Sequence, residues 1–129
     1  MGLANILRLC SVLFVIMPLG LFAGIHLFTD SWFVEEATEA HFRDGKTLAN
    51  IVIIQGIGIA IIVLLSSFIK DISSAKIVLL GVSILSLLVL VTIIANQIIY
   101  SASPPIPIWV ILDLVFLISI YGRFKVDRM

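Results

Sequence analysis

Ile106-Pro-Ile-Trp-Val-Ile-Leu-Asp-Leu-Val-Phe-Leu-Ile-Ser-Ile-Tyr121 carries a single charge, Asp113, in an otherwise greasy run. A stretch this apolar reads as a membrane-spanning helix. A carboxylate in hydrocarbon needs a partner or a proton, so an ionisable residue within a span marks a candidate functional site.

Three further apolar runs precede it: Leu9 to Phe28, Thr47 to Ile69 and Ile77 to Ile99. Each has about the ~20 residues that cross a bilayer. The expected fold is all-α: a four-transmembrane-helix bundle with spans near 8–28, 47–69, 77–99 and 106–122. It forms one membrane domain over residues 1–129, with a short interfacial helix in the first loop. Composition agrees, with 61% hydrophobic and 12% charged residues. A soluble domain carries about 25% charged residues, and so short a chain has too little interior to hide this much apolar surface. The net charge is zero, so no whole-chain attraction draws it to nucleic acid. Cys10 is the only cysteine and reads as an apolar core residue.

The first run has some character of a signal peptide: Arg8 before it, and small residues Ala23 and Gly24 towards its end. Its length favours a retained span. Ile6 stands where a myristoylation signal wants Ser or Thr. Pro18 lies mid-span, where neighbouring helices satisfy the freed carbonyl. Gly20 and Gly24, four apart, are expected on one close-packing face, with a dimer seam as the second reading, and Gly56 and Gly58 read first as packing glycines of the second span and second as part of a cavity wall.

The loop from Thr29 to Lys46 holds five of the eight acids: Asp30, Glu35, Glu36, Glu39 and Asp44. Phe33, Ala37 and Ala40 recur at helical spacing, with Glu39 four residues before Arg43. This predicts a short amphipathic helix at the interface, started by Asp30 or Ser31 and anchored by Trp32. His41 beside Glu35, Glu36 and Glu39 has no metal-ligand spacing and reads as a solvated face. No metal or cofactor is expected.

Arg8, Lys70, Lys76, Arg123, Lys125 and Arg128 fall on one side of the four spans, and only Arg43 and Lys46 on the other. That six-to-two split puts both termini in the cytoplasm.

At ~1.5 Å per helical residue, Asp113 lies on the order of 10 Å below the outer end of its span, and Gln55 at a similar depth. Asn96, Gln97 and His26 are shallower. Polarity thus gathers in the outer half of every span. The expected arrangement is an outward-opening polar pocket with Asp113 at its floor, lined by Gln55, Asn96, Gln97 and His26. Three readings of Asp113 stand beside one another: a structurally satisfied acid, a ligand or proton group, and a contact with a partner protein.

The layout resembles the DoxX-like group of small bacterial four-helix membrane proteins. Arg8 opens the first span and Pro18 interrupts it. Gln55-Gly-Ile-Gly58 follows the acidic loop, and Pro104, Pro105 and Pro107 lead into a last span with an acid, Asp113. The resemblance covers most of the chain. It implies a bundle in the bacterial inner membrane, in a group some of whose members accompany redox enzymes of sulfur metabolism or quinone chemistry. With one cysteine, thiol-pair chemistry does not carry over. Small multidrug transporters have their essential carboxylate in the first span, where this chain has none.

Without a nucleophile–base pair or a phosphate loop, the chain does not read as an enzyme. The leading expectation is an accessory or assembly subunit, either a homo-oligomer or bound to another membrane protein. The alternatives are a bundle that binds a lipid or quinone near Asp113, and a proton-coupled carrier acting as an oligomer.

Overall fold

Leu3–Leu27 forms helix α1, Glu39–Ser66 α2, Ile72–Tyr100 α3 and Ile106–Lys125 α4 in a computed structural model that describes residues 1–28, 37–100 and 104–129. All four are long and apolar enough to cross a membrane. Large apolar side chains cover the outside, among them Ile98 (77% exposed), Ile54 (68%) and Leu117 (61%). Water does not tolerate an apolar exterior of this extent on a monomer; acyl chains do. The chain is an integral membrane protein.

Three helices begin earlier than hydropathy alone places the spans: capping side chains start α2 and α3, and at the start of α1 the Leu3 N–H donates to the Arg128 carbonyl. In α2 the Thr38 hydroxyl accepts from the His41 backbone N–H at 3.4 Å, and the Thr38 N–H donates to His41 Nδ1 at 3.2 Å. The helix then runs for 28 residues without a break, about 42 Å against a hydrocarbon core of ~30 Å. Residues 39–46 are therefore the first two turns of α2 and not a separate interfacial helix. Gly45 alone costs about 1 kcal/mol, too little to interrupt a helix already propagating. Arg43 pairs with Asp44 at 3.2 Å in place of the expected Glu39. Asp30, Ser31, Trp32, Phe33, Glu35 and Glu36 lie outside the described residues.

Asp71 starts α3, its Oδ2 accepting from the Ser74 N–H at 2.7 Å. The Ser74 hydroxyl, and then the Ser74 N–H, hold the Asp71 pKa below the ordinary carboxylate value. A carboxyl whose folded pKa is depressed stabilises fully above its unfolded value and loses that contribution as pH falls through the folded one. The first turn of α3 is thus expected to fray on acidification through that window. Amide exchange at Ser73 to Ala75 checks this, and Asp71→Asn should flatten the response.

The helices pair as two antiparallel hairpins, α1 with α2 and α3 with α4. α1 also packs along α4, whereas α2 and α3, though joined by the short turn 67–71, scarcely touch. The half of the bundle nearer the two termini, labelled inner by that position alone, is packed by all four helices through Ile6, Leu7, Cys10, Phe14, Ala60, Val63, Leu79, Val82 and Val115. The outer half has a smaller cluster of Leu90, Ile93 and Leu112, with Met17 packed against it. Gly122 permits the tight inner approach: a Cβ there would lie 2.8 Å from Leu79 Cδ1 and 3.1 Å from Ile6 Cδ1.

The segment after α4 folds back across the inner end. Val126 is buried in the core, the Arg128 carbonyl accepts from the Leu3 N–H at 2.8 Å, and Lys76 pairs with Asp127. The same segment thus touches the start of α1 and the start of α3.

Candidate functional site

The weak α2–α3 contact leaves a cleft of about 330 Å³ opening sideways between them. Phe14, Met17, Pro18 and Leu21 of α1 line it, with Val52, Gln55, Gly56 and Ile59 of α2. Leu85 and Val89 of α3 and Ile108 and Leu112 of α4 complete it. A shallower groove of about 280 Å³ continues towards the inner end, sharing Ile59 and Leu85 and reaching Gly81.

Local packing accounts for the opening. At Gly56 a Cβ would stand 3.3 Å from Cβ and Cγ of Pro18, so α2 is seated directly on the α1 proline ring. Gly58 and Gly81 have no atom within 4 Å of a Cβ position, and no neighbour fills the space they leave. Gly56 and Pro18 are therefore a packing pair. Gly58 is not a packing glycine. Gly24 is buried, but Gly20 is exposed with open space beside it, so the two do not form one packing face.

The polar residues are divided among different surfaces. Gln55 lines the cleft from its open side, where it is exposed, and has no hydrogen-bond partner among the described residues. Asp113 does not line the cleft: it is exposed on the outer side of α4, between Val110, Leu114 and Leu117, which are exposed too. Asn96 and Gln97 are exposed near the outer end of α3. His26 Nε2 lies 2.9 Å from Asn50 Oδ1, with its ring 4.7 Å from that of Phe22, a contact between α1 and α2.

The pocket expected around Asp113 is thus corrected. α4 turns Leu112, Val115, Ser119 and Gly122 inward, and the residue after Leu112 is rotated by about 100° at 3.6 residues per turn. Asp113 is carried away from the cleft. The rotation about the helix axis is set by packing.

Serines supply the inter-helix polar contacts that sequence reasoning missed. Ser11 donates to the Ala60 carbonyl at 2.8 Å, joining α1 to α2. The hydroxyls of Ser83 and Ser119 lie 2.8 Å apart, joining α3 to α4. Their signal was present as small residues at helical spacing, Ser83 with Ser86 and Ser119 with Gly122. Since Ser83 also reaches the Leu79 carbonyl at 2.8 Å and Ser119 that of Phe116 at 2.9 Å, neither is orphaned when the other is removed. Ser83→Ala is expected to cost about 0.6 kcal/mol, measurable by SDS titration. A double-mutant cycle with Ser119→Ala should give a coupling of similar size. Arg8 also stays with the protein: its Nε donates to Ser67 Oγ at 3.4 Å and its guanidinium lies 5.9 Å from the Phe68 ring centre.

Two features follow for function: a lateral apolar cleft with one amide on its lining, and a carboxylate on the exposed face of α4, away from that cleft. No family model, curated protein or solved structure matches this chain.

Proposed function

We propose that this protein is a non-catalytic membrane subunit that assembles with another membrane protein through the outer face of α4. The observation that carries this reading is the outward position of Asp113. Within the spans, Asp, Glu, Lys and Arg almost always face a bundle interior or a water-filled cavity. Asp113 has no partner among the described residues, and the apolar stretches around it contain no Lys or Arg. A partner helix with a basic or hydrogen-bond-donating side chain at that depth removes the cost. In this proposal the bundle lies in a bacterial inner membrane with both termini cytoplasmic. The six-to-two distribution of basic residues and the DoxX-like layout support that placement.

Cysteine cross-linking in native membranes tests it, in a Cys10→Ser background. Leu117→Cys lies on the Asp113 face and is expected to give a discrete adduct. Leu19→Cys, exposed on α1, is expected to give none. Adding Asp113→Leu should abolish the Leu117→Cys adduct. An adduct of twice the chain's mass would make the partner a second copy, with two Asp113 carboxyls sharing a proton. No adduct at 117, or one indifferent to Asp113, defeats the proposal.

A further inference from the structure

The cleft between α2 and α3 has its own chemistry, independent of the Asp113 face. We propose that it is a binding site for an uncharged single-tailed amphiphile, a hydroxyl or carbonyl head on a long apolar chain. The head bonds to the Gln55 amide, and the tail follows the groove past Ile59 and Leu85.

Three observations select this class. The first is depth. Gln55 lies eight residues below Thr47, about 12 Å at 1.5 Å per residue, close to the middle of a ~30 Å hydrocarbon core. The ester and phosphate groups of a phospholipid stay near the boundary, and an ionised head is costly so deep. An uncharged head dissolved in the hydrocarbon reaches this level. The second is the lone amide. Among the described residues Gln55 is the single hydrogen-bonding side chain lining the cleft, and an amide left unpaired in hydrocarbon costs several kcal/mol. A hydroxyl or carbonyl satisfies it, whereas an ordinary acyl chain does not. The third is shape. The turn 67–71 ties α2 to α3 at the inner end, and towards that end the cleft continues only as the shallower groove of about 280 Å³. A spanning helix of a partner needs the full thickness of the membrane; a flexible chain needs only the wedge that is open.

The test uses the full chain in phosphatidylcholine vesicles with Trp32→Phe, which leaves Trp109, the neighbour of cleft-lining Ile108, as the sole tryptophan. The probe is ω-bromoundecanol, whose bromine quenches tryptophan. Quenching is expected to saturate in the parent. Gln55→Leu, which removes only the amide, should weaken it about tenfold, the equivalent of one hydrogen bond in a low-dielectric site. Val52→Phe at the mouth of the cleft should remove the saturable component. Circular dichroism in the same vesicles shows that the variants fold. Quenching that rises without saturation, or equal affinity in Gln55→Leu, overturns the proposal. So does equally tight, saturable quenching by a phosphatidylcholine brominated along its acyl chain, since the occupant would then be bulk lipid. None of these outcomes depends on the α4 partner, so the two proposals fail separately.

Discussion

Asp113→Leu is expected to leave the isolated bundle at least as stable as the parent and to destroy its association with the partner. The two effects have opposite signs because they belong to different states. In the free protein Asp113 faces acyl chains among Val110, Leu114 and Leu117, with no partner among the described residues. An acid at the centre of a span costs about 2.5–3.5 kcal/mol on insertion scales, and leucine removes that cost. In the assembly the carboxylate is held by a donor on the partner. Deleting one member of a buried charge pair costs about 2–5 kcal/mol, a loss of at least tenfold in affinity. Asp113→Asn keeps hydrogen-bonding capacity and should fall between. Unfolding in mixed micelles reads the first effect, and the adduct at Leu117→Cys reads the second. If Asp113→Leu unfolds the isolated chain, the acid is a structural element of its own bundle and the assembly role is lost.

The largest loss of stability is expected from Gly122→Leu. At Gly122 even a Cβ comes within 2.8 Å of Leu79 and 3.1 Å of Ile6, where α4 meets α3 and α1 together. Those contacts are side-chain ends, so Gly122→Ala has room to adjust and should cost about 1 kcal/mol. A leucine has nowhere to go in the closed inner half and should cost about 3 kcal/mol, the upper end of overpacking. Gly58→Leu is the control: nothing lies within 4 Å of its Cβ position, so it should be close to neutral. The contrast between two glycines in apolar helices is the informative quantity. Equal effects at 122 and 58 would mean that the inner core is not packed as described.

The same contrast shows how far composition and pattern could be read. Gly56 and Gly58 read alike in the sequence, but only Gly56 is seated against a neighbour, the Pro18 ring. Gly58, two residues on, has the same chemistry but meets open space. His26 was expected to line the pocket with Gln55, Asn96 and Gln97 but meets Asn50, because nothing in the sequence aligns these turns of α1 and α2. The start of α2 was misplaced by hydropathy, which reports where a helix enters lipid and not where Thr38 and His41 begin it.

Four apolar runs of spanning length leave no alternative to helices in a bilayer, because every backbone N–H and C=O in hydrocarbon must be satisfied within its own segment. That much, together with the depth of each polar group along its helix, the amino-acid order determined alone. The direction in which each group points was decided by the tertiary structure. When all sides of a helix are apolar, no hydrophobic stripe announces the inward face. Small residues and serine contacts then choose the rotation, and they set Gln55 on the lining of a cleft and Asp113 on a face of α4 away from it.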